Sequence, residues 1–243
     1  MDLLLRHACR VASFDVGPRG ELRTSALMGY LEDAAGVHAA AYGAGVHELQ
    51  SRGFAWVLSR YHLRVSRVPL LGESLEVSTW PSGRSAIFAT RDFEVADAQG
   101  RIVALATTSW AVLDLASKRP RRVSDVVPPG FVVDRRAIPD KFRSLPSAEG
   151  AGAEVAIPVL RRDLDMNLHV NHAVYADWAL EAAPPALAEL GPPRALEVSY
   201  LAEARLGDAV LSFASAAPGG VLLHRIRRAA DGVELARART TWE

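Results

Sequence analysis

The chain has 243 residues, of which 49% are hydrophobic and 23% are charged, proportions typical of a globular protein. Its formal net charge is zero, which excludes a bulk electrostatic attraction to nucleic acid or to an anionic membrane. The single cysteine, Cys9, cannot form a disulfide within the chain, and we expect a reducing compartment. No apolar run is long enough for a signal peptide or a membrane span, so we predict a cytoplasmic protein.

The first half of the chain predicts one long helix followed by antiparallel strands. Residues 8–16 are expected to form a first strand, and Leu27 and Leu31 then recur at the spacing of a helix. Beyond the helix the period changes to two, so that Tyr61 is expected to face the core and His62 the opposite, polar side. The strands predicted from this alternation cover residues 56–65, 75–80, 87–95 and 102–113.

The second half repeats this order of elements. A helix after Asn171 is followed by predicted strands at residues 196–200, 210–213, 221–227 and 233–242. Like residues recur in the same order at offsets of 132 to 145 positions, in the pairs Tyr30 and Tyr175, Gly72 and Gly207, Gly100 and Gly232, and Trp110 and Trp242. Four such pairs within matching elements predict a duplicated unit.

The duplication predicts the domain organisation. We expect an N-terminal unit at residues 1–125 and a C-terminal unit at residues 153–243. Residues 126–152 are rich in proline and charge, and are expected to form a linker between the units. One helix with antiparallel strands, present twice, belongs to the α+β class.

The densest group of polar side chains lies between residues 163 and 181. Asp165, Asn167 and His169 occupy every second position, so they would share one face of an extended segment. Asn171 is a favoured N-cap residue, and residues 173–180 are expected to form the helix after it. The three side chains would then lie at the positive end of a helix, a position that suits stabilisation of an oxyanion.

The run DLDMNLHVNH at residues 163–172, with Tyr175, Trp178 and Glu181 after it, closely resembles the motif of the acyl-acyl-carrier-protein thioesterases of plants and bacteria. Further similarity at residues 23–25, 56–57, 72–80 and 109–113 extends the resemblance over residues 12–243. The resemblance implies a tandem (double) hotdog fold, in which each half wraps an antiparallel sheet around a long helix. It also implies hydrolysis of the thioester between a fatty acyl chain and the phosphopantetheine arm of acyl carrier protein (ACP).

The resemblance also implies a set of site residues. Asp165, Asn167 and His169 match the family's Asp-x-Asn-x-His motif, and Glu203 matches the acidic residue of its Tyr-x-x-Glu-Cys motif. Ala204 stands where the plant enzymes carry cysteine, so a cysteine nucleophile is excluded. We expect His169 to be neutral and basic, Glu203 or Asp165 to orient it or polarise water, and Asn167 to bind the carbonyl or the water. Which of Asp165, His169 and Glu203 is the proximal base stays open at this point.

This polar set occurs in one half only. With the offset of the tyrosine pair, the motif residues align with Gly20, Leu22 and Thr24, and with the offset of the first glycine pair Glu203 aligns with Val68. A role in maintaining the fold would be expected in both halves, which favours catalysis over capping and loop hydrogen bonds. We expect the N-terminal half to supply the acyl pocket. The candidate lining residues are Met28, Tyr30 and Trp56, and packing in the core is the alternative role for each of them.

Several alternatives remain open from the sequence. The chain could prefer acyl-CoA to acyl-ACP, or could bind acyl groups without hydrolysing them. No cofactor and no metal are expected, because thiolate is a good leaving group and the other histidines are scattered along the chain. The oligomeric state stays open between a monomer and a homodimer, and a monomer is consistent with one chain of two hotdogs mimicking a hotdog dimer. Eight arginines could form a basic face that binds acidic ACP, or could simply lie on solvated strand faces. They are Arg60, Arg64, Arg67, Arg84, Arg91, Arg119, Arg121 and Arg122.

Overall fold

The computed structural model describes residues 3–127 and 130–242. The first half contains β1 (Leu5–Arg10), α1 (Thr24–Ala40), α2 (Val46–Ser51), β2 (Phe54–Val65), β3 (Ser74–Arg84), β4 (Phe88–Asp97), β5 (Ile102–Asp114) and β6 (Pro120–Arg121). The second half contains β7 (Ala153–Pro158), α3 (Val174–Glu181), α4 (Pro185–Ala188), β8 (Ala195–Tyr200), β9 (Ala209–Ala217), β10 (Val221–Arg228) and β11 (Glu234–Thr241).

The strands form one antiparallel sheet in the order β1-β3-β4-β5-β2-β8-β11-β10-β9-β7, with β6 paired to β5 at the side. Counted from its own edge, each half has the same strand order, since β7-β9-β10-β11-β8 repeats β1-β3-β4-β5-β2. The halves join where β2 pairs with β8, with Tyr61 opposite Val198 and His62 opposite Glu197. Because equivalent strands meet there antiparallel, the two halves are related by an approximate twofold axis.

Each half of the sheet packs against one helix. Met28 and Leu31 of α1 and Trp178 of α3 are at most 3% exposed, and burying such side chains stabilises the fold by about 1.5–3 kcal/mol each. Helix α3 has 8 residues and α1 has 17. The difference follows from Pro184 and Pro185, because proline lacks an N–H and disfavours helical conformation in the residue before it.

This arrangement confirms the predicted α+β class and the tandem hotdog. The strands predicted from alternation correspond to β2–β5 and β8–β11, and the helix predicted after Asn171 begins at Val174. The first strand is an exception, since β1 ends at Arg10 and Ser13–Asp15 form a 3₁₀ turn instead of continuing it. Within the described residues, no helix combines the length and hydropathy needed to cross a membrane.

Residues 131–152 lie across the face of the sheet opposite α1. Trp80 of β3 donates its Nε1–H to the Arg135 carbonyl oxygen at 2.9 Å. Arg237 of β11 donates from Nη1 to the Leu145 carbonyl oxygen at 3.0 Å. The segment therefore contacts strands of both halves, while the predicted boundaries of the two units and the linker stay a prediction.

Candidate active site

Asp165 organises a tight turn. Its N–H donates to the His169 carbonyl oxygen at 2.8 Å, and the Leu168 N–H donates to the Asp165 carbonyl oxygen at 3.1 Å. The Asp165 Oδ1 atom also accepts the N–H groups of Asn167, at 2.8 Å, and His169, at 3.2 Å. The expectation of an extended segment with the three motif residues on one face is therefore wrong, because the Asp165 carboxylate folds the backbone back on itself.

The first half contains the same turn at residues 17–21, with the same backbone hydrogen bonds. A bridge between Val16 and Leu22 flanks this turn, as one between Leu164 and Val170 flanks the turn of Asp165. The two bridges set the offset between these turns at 148 positions, so the alignment predicted from the tyrosine pair is three residues out of register. The motif residues instead align with Gly17, Arg19 and Glu21.

His169 and Glu203 come together from separate parts of the second half. The His169 Nε2 atom lies 3.4 Å from Oε2 of Glu203, and the two side chains are 38% and 47% exposed. Glu203 also lines a surface depression of ≈ 380 Å³ with Arg205, Asp208 and Arg228. An imidazole and a carboxylate that are near each other and open to solvent can take up and return a proton of water.

Helix α3 begins in a polar cluster that joins the two halves. Asn171 Oδ1 accepts the N–H of Ala173 at 2.8 Å, and Asn171 Nδ2 donates to Glu32 of α1 at 3.2 Å. His172 Nδ1 lies 3.7 Å from the same Glu32 carboxylate. Burial lowers the pKa of His172, and the carboxylates of Glu32 and Asp165 oppose this shift. The start of α3 is thus fixed to α1, and the Ala173 N–H is used by Asn171 instead of remaining free for an oxyanion.

The one thiol of the chain lies outside this cluster and is not activated. Ala204 is fully buried, and its N–H donates to the Tyr175 hydroxyl at 2.9 Å. Cys9 lies in β1, at one edge of the sheet. Burial raises the pKa of the Cys9 thiol to about 11, with Asp33 and Asp15 contributing, so the thiol is protonated at neutral pH.

Comparison with known proteins identifies the family of the chain. Sequence models of the acyl-ACP thioesterase N-terminal and C-terminal domains match residues 3–129 and 147–243. The chain belongs to the acyl-ACP thioesterase family. It is 26% identical to a chloroplastic acyl-[acyl-carrier-protein] hydrolase of Cuphea viscosissima over 99% of its own length, and it spans 63% of the length of that relative.

Solved structures of family members have the same fold. An acyl-ACP thioesterase from Bacteroides thetaiotaomicron superposes with a TM-score of 0.89 at 24% identity, covering 99% of this chain and 98% of the other. The 12:0-ACP thioesterase from Umbellularia californica also gives 0.89, at 25% identity, covering 100% of this chain and 98% of the other.

In this acyl-ACP thioesterase family member, the candidate pocket residues do not lie together. Met28 is fully buried in the main core, and Tyr30 lies at the margin of that core with its hydroxyl donating to Asp15 at 2.6 Å. Trp56 lies in a smaller apolar cluster, where its Nε1–H donates to the Ala44 carbonyl oxygen at 2.9 Å. The assignment of these residues to an acyl pocket stays a prediction.

The arginines considered for ACP docking do not share one face. The Arg91 Nη1 atom lies 3.0 Å from Nδ1 of His38 in α1 and 3.2 Å from Oγ1 of Thr79. Burial lowers the pKa of Arg91 to about 10. The alternation of β4 turns this side chain toward the helix, so Arg91 is excluded from a docking surface.

A charged cluster lies at the seam, the junction where β2 pairs with β8. The spacing of the histidines in the sequence did not predict it. His62 Nδ1 lies 2.7 Å from Asp140, and His62 Nε2 lies 3.8 Å from Glu197. These three side chains have the composition of a metal site, but Arg64 donates to His62 Nε2 at 3.2 Å and Arg239 donates to Glu197 at 3.1 Å. The guanidinium groups of Arg64 and Arg239 already supply the positive charge that a metal ion would bring. We therefore assign the cluster as an ionic clamp, which holds the segment containing Asp140 against the sheet.

Gln50 of α2 contacts the candidate site, a contact that the sequence did not predict. Its Nε2 donates to Oδ1 of Asn167 at 2.7 Å, across a sequence separation of 117 residues. No motif or local pattern marks Gln50, because the contact arises only when the first half packs against the turn of the second.

Proposed function

We propose that the chain hydrolyses the thioester between a fatty acyl chain and the phosphopantetheine arm of ACP, releasing a free fatty acid. The observation that carries the proposal is the pairing of His169 with Glu203 at 3.4 Å beside the turn that bears Asn167. Membership of the acyl-ACP thioesterase family supports the substrate class.

In the proposed mechanism, His169 removes a proton from a water molecule whose oxygen forms a bond to the thioester carbonyl carbon. Glu203 stabilises the imidazolium that results, and an Asn167 Nδ2–H donates to the oxyanion. One such donor is typically worth about 3–4 kcal/mol of transition-state stabilisation. The intermediate then collapses, the carbon–sulfur bond breaks, and the departing thiolate takes the proton from His169. No cofactor takes part in these steps.

Asp165 has a different role in this proposal. Its Oδ1 atom already accepts two backbone N–H groups of its own turn, which limits its capacity to accept a proton from water. We therefore assign Asp165 to positioning the turn that carries Asn167 and His169, and we assign proton transfer to His169 with Glu203.

The test is a thiol-release assay with the purified chain, using ACP and CoA thioesters over a series of acyl chain lengths. We expect kcat/KM to be at least about tenfold higher for acyl-ACP than for the matching acyl-CoA, since a protein partner adds complementary surface. A preference for acyl-CoA would support a hotdog acyl-CoA thioesterase instead. Absence of thiol release from every substrate would contradict hydrolysis and support acyl binding alone.

We also propose an oligomeric state and a cellular location for the chain. The pairing of β2 with β8 within one chain supplies the contact that two separate hotdogs make, which supports a monomer over a homodimer. Light scattering on the purified chain distinguishes the two. The cytoplasmic location stays a prediction, and tagging the chain in its own cells tests it.

A further inference from the structure

Gln50 and Asn167 form a side-chain contact between the two halves, directly at the proposed catalytic turn. Gln50 lies in α2 of the first half, and its Nε2 donates to Asn167 Oδ1 at 2.7 Å. Asn167 is one of the residues to which the proposed mechanism gives a chemical task. A residue that fixes the orientation of its amide would therefore act on the reaction without touching the substrate.

The orientation of the Asn167 amide is determined by Asp165. Nδ2 of Asn167 lies 3.4 Å from Oδ2 of Asp165, and an ionised carboxylate can only accept hydrogen bonds. The nitrogen of the amide must therefore face Asp165, and the oxygen must face Gln50, which supplies the donor that this oxygen requires. With Nδ2 facing Asp165 and Oδ1 facing Gln50, the hydrogen that Asn167 can donate to a substrate is the second one on Nδ2.

The equivalent turn of the first half makes the corresponding contact. Arg19 aligns with Asn167 at the offset of 148 positions, and its guanidinium donates to the Glu189 carbonyl oxygen in the second half. In each half, the middle residue of the turn thus reaches across to the segment that follows the central helix of the other half. The Gln50–Asn167 hydrogen bond is the counterpart of the Arg19–Glu189 contact. At the proposed catalytic turn, the middle residue is an amide instead of a guanidinium.

We infer that Gln50 is a positioning residue that holds Asn167 as a hydrogen-bond donor toward the thioester carbonyl. The inference rests on the proposed hydrolase function. It predicts that the first half contributes to the chemistry of the second, so that an isolated second half would lack part of the site even if it folded.

The test compares kcat and KM of Gln50→Ala, Gln50→Glu and the unmodified chain, using an acyl-ACP thioester and the thiol-release assay. We expect Gln50→Ala to lower kcat by about tenfold or more with a change in KM of less than about twofold, because the bond acts on transition-state stabilisation. Ser51→Ala removes a neighbouring side chain of α2 whose hydroxyl donates to the Glu48 carbonyl oxygen of its own helix, and should leave kcat unchanged.

The Gln50→Glu variant distinguishes positioning from a merely structural role. An ionised glutamate cannot donate to Asn167 Oδ1 and competes with Asp165 for the Asn167 nitrogen, so kcat at pH 8 should fall further than in Gln50→Ala. A protonated glutamate can donate again, so the ratio of its kcat to that of the unmodified chain should rise several-fold between pH 8 and pH 5. In an Asn167→Ala background, Gln50→Ala should have no further effect on kcat.

Melting temperatures of all variants within a few degrees of the unmodified chain establish that the fold is retained. The inference is overturned if Gln50→Ala keeps kcat within about twofold, or if the effect of Gln50→Glu is independent of pH. If the unmodified chain releases no thiol, the proposed function itself fails. An active chain that is indifferent to Gln50 overturns the positioning role alone.

Discussion

Gly20 and Leu168 occupy the same position in two copies of one turn, and both have a positive φ, of 74° and 62°. Glycine adopts this left-handed conformation without steric cost, whereas a leucine is strained there. The Leu168 side chain is 72% exposed, so packing in the core does not compensate for the strain. The backbone strain therefore lies in the turn that carries Asp165, Asn167 and His169, and the equivalent turn of the first half avoids it.

Leu168→Gly should stabilise the chain by up to about 1 kcal/mol, because it removes this strain and loses little buried surface. Urea unfolding of the two proteins measures the difference in the free energy of unfolding. Met166→Gly is the matched control, since Met166 is exposed in the same turn but does not have a positive φ. A loss of stability from Leu168→Gly as large as that from Met166→Gly would contradict the assignment of strain.

Asp165 and His169 should differ in how they affect activity and stability. His169→Ala and Glu203→Gln should lower kcat by a factor of order 10², since the first removes the base and the second removes the carboxylate that stabilises the imidazolium. Because both side chains are partly exposed, each change should alter the free energy of unfolding by less than about 0.5 kcal/mol.

Asp165→Ala should lower kcat and also destabilise the chain by about 1–3 kcal/mol, because two backbone N–H groups lose their acceptor. Thiol release and urea unfolding on the same preparations separate the two effects. If Asp165→Ala lost activity without any loss of stability, the carboxylate would belong with His169 in the proton transfer.

The helices, the strands and the α+β class were predictable because they depend on periodicity, and periodicity is local, whereas the hotdog was expected only from the family resemblance. Tyr61 was expected to face the core from its place in an alternating strand, and it is 3% exposed. His62 was expected on the polar face, yet it is 6% exposed, because the segment containing Asp140 covers it. That burial depends on a contact 78 residues away, which no alternation within the strand records.

The residues of the candidate site were proposed from the sequence motif, whereas their geometry was not predictable from it. The motif supplied Asp165, Asn167 and His169, and the structure pairs His169 with Glu203. The turn itself was missed, because a positive φ at a leucine has no sequence signal comparable to the glycine of the first half. Gln50 was missed for a different reason, since its partner belongs to the other half of the chain.

Replacing Asp140 of the ionic clamp should destabilise the chain and loosen the segment that the clamp holds. Asp140→Ala should leave the buried His62 ring without its acceptor and lower the free energy of unfolding by about 1–3 kcal/mol. Amide hydrogen exchange in residues 131–152 should become faster, because this bond ties the segment to the sheet. Asp134→Ala is the control, as Asp134 is an exposed carboxylate of the same segment. Equal exchange rates in the two variants would rule out the clamp.

His224 predicts how stability depends on pH. Its side chain is fully buried in β10, with Nε2 2.8 Å from Thr240 Oγ1, and burial lowers the pKa of His224 from 6.5 to about 4. Between these values the unfolded chain binds a proton that the folded chain does not. Stability should therefore fall as the pH drops from 6.5 toward 4, by about 3 kcal/mol from this residue in total.

Urea unfolding at a series of pH values from 7.5 to 4.5 measures this dependence. His224→Gln, which cannot titrate, should be less stable than the unmodified chain at pH 7.5, because the buried packing is altered, but should lose less stability on acidification. His47→Gln, at an exposed position of α2, should keep the pH dependence of the unmodified chain. An identical decline in His224→Gln and the unmodified chain would mean that other groups, such as the clamped carboxylate of Asp140, cause the loss of stability in acid.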